Sequence, residues 1–149
     1  MKPSTHSIRF VASILAGVAL SGIMACTTPV HHEETLYQRL GGTAVVTAIV
    51  DATIDRAATD PRTRRSFQKV DMKRLKLKIV EQICALTEGG CKYSGDPMKE
   101  SHAGLNITEA EFYLTVQFLR DALDARVGER EKNELLRLLA PMKRDIVTG

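Results

Sequence analysis

Apolar residues recur at intervals of three and four through most of the chain, the period of helices that bury one face. Val46, Ile49, Val50, Ile54 and Ala57 make the first stripe. Asp60-Pro61 ends it and starts a short segment to about Gln68, with Asp as the cap and proline at the first helical position. Asp71 caps a longer helix whose stripe is Met72, Leu75, Ile79, Ile83 and Leu86, with Lys73, Lys76 and Glu81 off that face, and Gly89-Gly90 stops it. A second pair, Asp96-Pro97, opens a short helix that carries His102 and closes at Gly104. Thr108 and Glu111 are spaced as a capping box, so a helix starts there; it buries Phe112, Val116, Leu119 and Leu123 and ends near Gly128. The last helix uses Leu135, Leu138, Leu139, Met142 and Ile146. No alternating strand pattern, internal repeat or low-complexity tract interrupts this order. The pattern predicts an all-α fold of six or seven helices.

The first residues follow a different pattern. Lys2 and Arg9 precede an uncharged run over residues 10–25, and small residues lead into Cys26. Sixteen uncharged residues fall short of the roughly 20 that span a bilayer comfortably, so residues 1–25 read as a secretory signal. Ile23-Met24-Ala25-Cys26 resembles a bacterial lipobox, with Met24 an uncommon choice; the resemblance implies lipidation of Cys26, and ordinary signal cleavage or a retained anchor are the alternatives. In the terms of that resemblance, Thr27 rather than Asp after the cysteine favours the outer membrane. Residues 26–34 are then a polar tether and residues 35–149 the folded domain, in the periplasm of a bacterial cell envelope.

Charge adds little beyond this. The formal +3 shrinks once the leader goes, because without Lys2 and Arg9 the 21 basic residues become 19 against 18 acidic ones. A nearly neutral domain gives no electrostatic case for nucleic acid. The cluster Arg62, Arg64, Arg65, Lys69, Lys73, Arg74, Lys76 and Lys78 reads as a solvated face. With Cys26 used, Cys84 and Cys91 remain as an even pair in an oxidising compartment, either bridged or left as two thiols.

The chain has no Cys-x-x-Cys-His, no phosphate loop and no His-Glu-x-x-His helix. His31-His32 with Glu33-Glu34 could chelate a metal but lie on the tether. His102 is the one histidine of the predicted domain, and alone it fits a structural role as well as a ligand role. Its context decides. Tyr37-Gln38-Arg39-Leu40-Gly41-Gly42, Phe67 before Asp71-Met72, the Tyr93-Ser94-Gly95 turn, and Met98 to Gly104 together resemble the first group of truncated haemoglobins over about Thr35 to Val147.

That resemblance implies a two-over-two helical sandwich around a non-covalent haem b, with His102 as the iron's proximal ligand and Phe67 packed on the haem face. Ile107 joins the implied haem contacts. On the other side of the iron, Ile54 stands where the family usually has tyrosine, and Leu75 and Ile79 stand where a polar partner is common. Bound dioxygen carries partial negative charge and gains from a hydrogen-bond donor. An apolar pocket is therefore expected to hold oxygen weakly, and nitric oxide and carbon monoxide depend less on a donor. Lys78 adjoins this face and either reaches toward a propionate or solvent or swings in as a sixth ligand. Gln82 is either a donor or an exposed helix position. Tyr93 suits a propionate contact or loop closure, and Met98, four residues before His102, packs beside the haem.

The expectation is a haem globin of the cell envelope that binds a diatomic gas or passes electrons, with a redox partner protein and the membrane as further contacts. The alternatives are a haem-free globin-like lipoprotein acting as a sensor or interaction module, and a nitric oxide dioxygenase. The apolar distal residues and the want of an evident distal acid or base count against an enzyme.

Overall fold

The computed structural model describes residues 33–149. The signal segment, Cys26, His31, His32 and nearly all of the tether lie outside the described residues. Within them the chain forms α1 (Leu36–Arg39), α2 (Gly42–Thr59), a 3-10 turn (Arg64–Phe67), α3 (Met72–Leu86), α4 (Met98–Ser101), α5 (Glu109–Asp124), α6 (Glu129–Leu139), a second 3-10 turn (Ala140–Met142) and α7 (Lys143–Ile146). The only strand-like pairing among the described residues is an isolated bridge between Ile107 and Val147.

The all-α prediction holds, and the predicted stripes meet in one core. α2 packs across both α3 and α5, α5 rests on α6, and α1 closes one end against α2 and α6. Val46, Ile49 and Val50 of α2 are buried with Ile83 of α3, Leu123 of α5, Leu135 of α6 and Leu40 after α1. Asp71 caps α3 by accepting from the Arg74 amide at 3.0 Å, and Thr108 and Glu111 form the expected capping box on α5.

Local chemistry moves some boundaries. Residues 61–63 are a turn rather than a first helical turn, because Asp60 Oδ1 accepts from the Arg62 amide at 2.9 Å and the Thr63 hydroxyl donates to the Ala57 carbonyl at 2.6 Å. Pro97, not Asp96, is the N-cap of α4, and His102 follows the helix as its C-cap. The final helix breaks at residues 140–142, where Pro141 has no amide to continue the ladder. On α5 the expected stripe is only partly buried, apart from Leu123, and Phe118 is buried instead, with the Arg56 guanidinium 4.3 Å from its ring centre. Phe112 and Val116 line a cavity, and Leu119 lines it while also packing against the core.

Cys84 and Cys91 form a disulfide, with Cα atoms 5.6 Å apart. α3 ends just after Cys84: the Gly89 amide donates to the Cys84 carbonyl at 2.8 Å, and Glu88 takes the left-handed conformation at φ 61°. The requirement for glycine falls at 89 for a different reason. A Cβ there would lie 2.6 Å from both Cys84 Sγ and the Tyr37 ring. Tyr37 is fixed in turn by its amide bond to the Thr87 carbonyl and its hydroxyl contact with Thr43, both 2.9 Å. Closing so short a loop restricts the unfolded chain by about 2 kcal/mol.

Candidate functional site

α2, α3, α4 and α5, with the C-terminal segment from Leu136 to Ile146, line a cavity of about 780 Å³, within the roughly 300–1,000 Å³ range of cofactor sites. All nine candidate residues line it: Ile54, Phe67, Leu75, Lys78, Ile79, Tyr93, Met98, His102 and Ile107. These residues span more than fifty positions of sequence, and the helix sandwich brings them to one wall system.

His102 is oriented by the end of α4. Its Nδ1 lies 2.8 Å from the Met98 carbonyl, and its own amide donates to that same oxygen at 3.2 Å. A carbonyl only accepts, so the ring proton sits on Nδ1 and Nε2 keeps its lone pair. An imidazole held through one nitrogen, with the other free as a donor to a metal, is an arrangement that suits haem iron. Met98 thus contributes a backbone oxygen as well as a cavity-lining side chain. Ile107, just beyond the turn, is buried and held from behind, its carbonyl accepting from the Thr148 and Gly149 amides at 3.1 Å each.

The opposite wall is aliphatic where Ile54, Leu75 and Ile79 meet it. Polar side chains do reach the cavity, but their donors are spent locally. Thr53 donates to the Ile49 carbonyl at 2.8 Å and Thr115 to the Glu111 carbonyl at 2.9 Å. Gln82, read from sequence as either a donor or an exposed position, lies in the wall with its amide 3.7 Å from Met142 Sδ. Ser66 is the exception among the buried hydroxyls, without a partner beside Phe67, and Arg74 and Arg120 also line the cavity, exposed and with no ion-pair partner among the described residues.

Charged and hydroxyl groups gather at the mouth. Lys78 Nζ bonds Glu81 at 2.8 Å and Ser94 at 2.7 Å, which holds the ammonium away from the cavity centre. Lys78 and Ser94 together keep the Glu81 carboxyl below its ordinary range. Tyr93 donates to the Asp96 carbonyl at 2.9 Å and closes its turn over Gly95, while burial first, then the Asp96 charge, pushes its phenol up and keeps it a neutral donor. Arg74, which in the sequence is one member of a basic cluster read as solvated, adds a second cation to this rim.

A further arrangement escaped the sequence entirely. Arg65, beside Phe67, spends its guanidinium on the far side of the cavity, bonding both oxygens of Glu111 at 2.5 and 2.6 Å and the carbonyls of Leu105 and Asn106 at 2.8 and 2.6 Å. This latch ties the Phe67 turn to the loop after His102, where Asn106 is left-handed at φ 47°. Glu111 falls to about 2, chiefly through the Arg65 bond and, against burial, with help from Thr108. Because the folded chain keeps Glu111 ionised to lower pH than the unfolded chain, the latch contributes fully above about pH 4.5 and is lost as pH falls toward about 2. Arg65→Ala is expected to speed loss of a bound haem to excess apomyoglobin by roughly fivefold at pH 7, the equivalent of about one net hydrogen bond. It should also flatten the fall of the thermal midpoint between those pH values. An unchanged rate would mean that the loop holds its shape without Arg65.

The cavity therefore fits a flat, apolar cofactor with one metal and an anionic edge: a free imidazole nitrogen, aliphatic walls, an aromatic ring at Phe67 and cations at the rim. The bacterial-like globin family matches residues 35–148. A group 1 truncated haemoglobin of Mycolicibacterium paratuberculosis is 35% identical over 116 residues, covering 77% of this chain and 85% of that protein. Another, from Nostoc commune, is 33% identical over 97 residues, 65% of this chain and 75% of the relative. The truncated haemoglobin of Tetrahymena pyriformis in its Fe(III) form superposes with a TM-score of 0.72 at 24% identity, covering 78% of this chain and all of that one. The cofactor for which this cavity is shaped is non-covalent haem, and the chain belongs to the bacterial-like globin family, among its group 1 truncated haemoglobins.

Proposed function

We propose that this protein is a haem b globin of the bacterial cell envelope that offers an open iron site to nitric oxide and carbon monoxide and holds oxygen only weakly. Haem supplies an iron with one position for a diatomic ligand. His102 Nε2 would hold that iron, Phe67 and Ile107 would pack on the ring, and Lys78 and Arg74 would meet the propionates at the mouth, with Tyr93 closing the loop beside them. Ile54, Leu75 and Ile79 exclude water and give the ligand no donor.

The observation that carries this reading is the pairing of a pre-oriented His102 with the aliphatic wall of Ile54, Leu75 and Ile79, where the Thr53 and Thr115 hydroxyls are bound to their own helix carbonyls. An unpaired acceptor in such a wall forgoes a charge-assisted hydrogen bond, the interaction that discriminates oxygen from carbon monoxide. The envelope location rests on the leader and the lipobox-like Cys26, supported by a disulfide of the kind that persists in oxidising compartments.

Absorption spectra of ferric and ferrous protein, with and without nitric oxide, carbon monoxide and oxygen, test the proposal. The expected ferrous protein is five-coordinate, forms stable nitric oxide and carbon monoxide complexes, and releases oxygen quickly. No Soret band after purification with ample haem would overturn the haem reading. A six-coordinate ferrous spectrum without added ligand would overturn the open site and bring Lys78 to the iron.

A further inference from the structure

The turn before α3 and the helix itself carry a basic cluster of which the cavity uses only a part. Between Arg62 and Lys78 the chain holds eight basic side chains and a single acid, Asp71. Four of the eight are neutralised: Arg62 by Asp60, Arg65 by Glu111, Lys76 by Asp51 and Asp55, and Lys78 by Glu81. Arg64, Lys69, Lys73 and Arg74 are exposed and have no ion-pair partner among the described residues. Residues 1–32 contain no Asp or Glu that could supply one. Asp71, the acid within the strip, is committed to capping α3.

A run of cations alone is a solvated face. Apolar side chains set into it are not explained by solvation. Among the described residues the exposed large apolar side chains are Val70 at 38%, Leu77 at 56% and Tyr113 at 55%, and the first two lie in this strip. Val70 precedes the N-cap of α3, and Lys73, Arg74 and Leu77 stand three, four and seven positions after it, so the three helical residues share one side of α3. Val70, Asp71 and Arg74 also form part of the cavity lip. A body seated on Lys69, Lys73 and Leu77 therefore covers the edge of the haem site.

We propose that this face docks an acidic one-electron carrier protein, which reduces the iron across the cavity lip. The proposal rests on the haem reading, because oxygen and carbon monoxide need ferrous iron and the electron must come from outside the globin domain. One electron leaves the carrier's flavin or iron–sulfur centre, which is oxidised by one; ferric iron becomes ferrous, and no covalent bond changes. Arg64, Lys69 and Lys73 attract the acidic partner and set its approach, and Val70 and Leu77 supply the dry contact at the centre.

Reduced flavodoxin, an acidic flavin carrier, is the probe, mixed in stopped flow with the ferric haem-loaded protein. The wild-type rate should fall steeply as salt is raised, and Lys69→Glu with Lys73→Glu should lower it about tenfold or more at low ionic strength. Leu77→Ser should lower it several-fold with little change in salt dependence. Photoreduced deazariboflavin, a neutral small donor, should reduce all variants equally. Calorimetric titration with oxidised flavodoxin should show the same loss of binding, independent of electron transfer. Equal rates and equal binding across variants with intact Soret bands would overturn the proposal. So would variants that lose binding to phosphatidylglycerol vesicles yet keep the flavodoxin rate, which reassigns the face to a membrane. A wild type without a Soret band is a separate result that removes the haem reading and this one together.

Discussion

His102→Ala is expected to weaken haem binding by more than about 100-fold, the largest effect of any single substitution in the chain. Loss of a partner that merely orients a metal ligand costs about 10–100-fold in affinity, and loss of the ligand itself exceeds that. The cavity would remain: its aliphatic walls and the Arg65 latch do not depend on the imidazole, so the variant should fold and keep its helical content. Haem transfer to apomyoglobin measures the loss, and the Soret band of the residual complex should shift. His102→Gly with imidazole added to the buffer should recover the wild-type spectrum, because free imidazole can offer the same nitrogen from the space the side chain leaves. Spectra unchanged by either substitution would place the ligand elsewhere.

Ile54→Tyr is expected to slow oxygen release by about 10–100-fold while changing nitric oxide and carbon monoxide binding little. A hydrogen bond to a charged acceptor contributes about 1.5–3 kcal/mol, and each 1.4 kcal/mol is a factor of ten. Ile54 is buried on α2 and faces the cavity, so a phenol there has no water to compete with the ligand. Ile54→Phe adds the ring without the hydroxyl. If Phe slows release as much as Tyr, bulk rather than hydrogen bonding controls the ligand. The larger side chain should also cost about 1–3 kcal/mol of stability through overpacking, visible as a lower thermal midpoint in both variants.

The helices were legible because their period is local. Stripes such as Val46, Ile49 and Val50 need only their own spacing to be read, and caps such as Asp71 and Thr108 need only their neighbours. The cavity residues were legible through resemblance, since nothing in the spacing of Ile54, Leu75 and His102 says that they face one another. Arg65 was invisible for a physical reason. Its partners are 40 to 46 residues away, and two of them are backbone carbonyls that any sequence possesses. Phe118 was passed over because α5 has two apolar sides, one on the core and one on the cavity, and a single stripe captures one of them. The basic run near α3 looked uniform in sequence. Only the folded pairing of Lys76 with α2 and of Arg65 with α5 separates the satisfied cations from the free ones.

Gly89 has an implication for inheritance. The sulfur of Cys84 and the ring of Tyr37 already fill the space where any side chain at 89 would go, so these positions cannot drift independently. A descendant that gained even a methyl group at 89 would have to surrender the aromatic seat, the bridge, or both. Cysteine, four residues, glycine, one residue, cysteine, with a tyrosine far upstream, is therefore a lineage mark. It would sort cousins that share the clasp from those that merely share the fold.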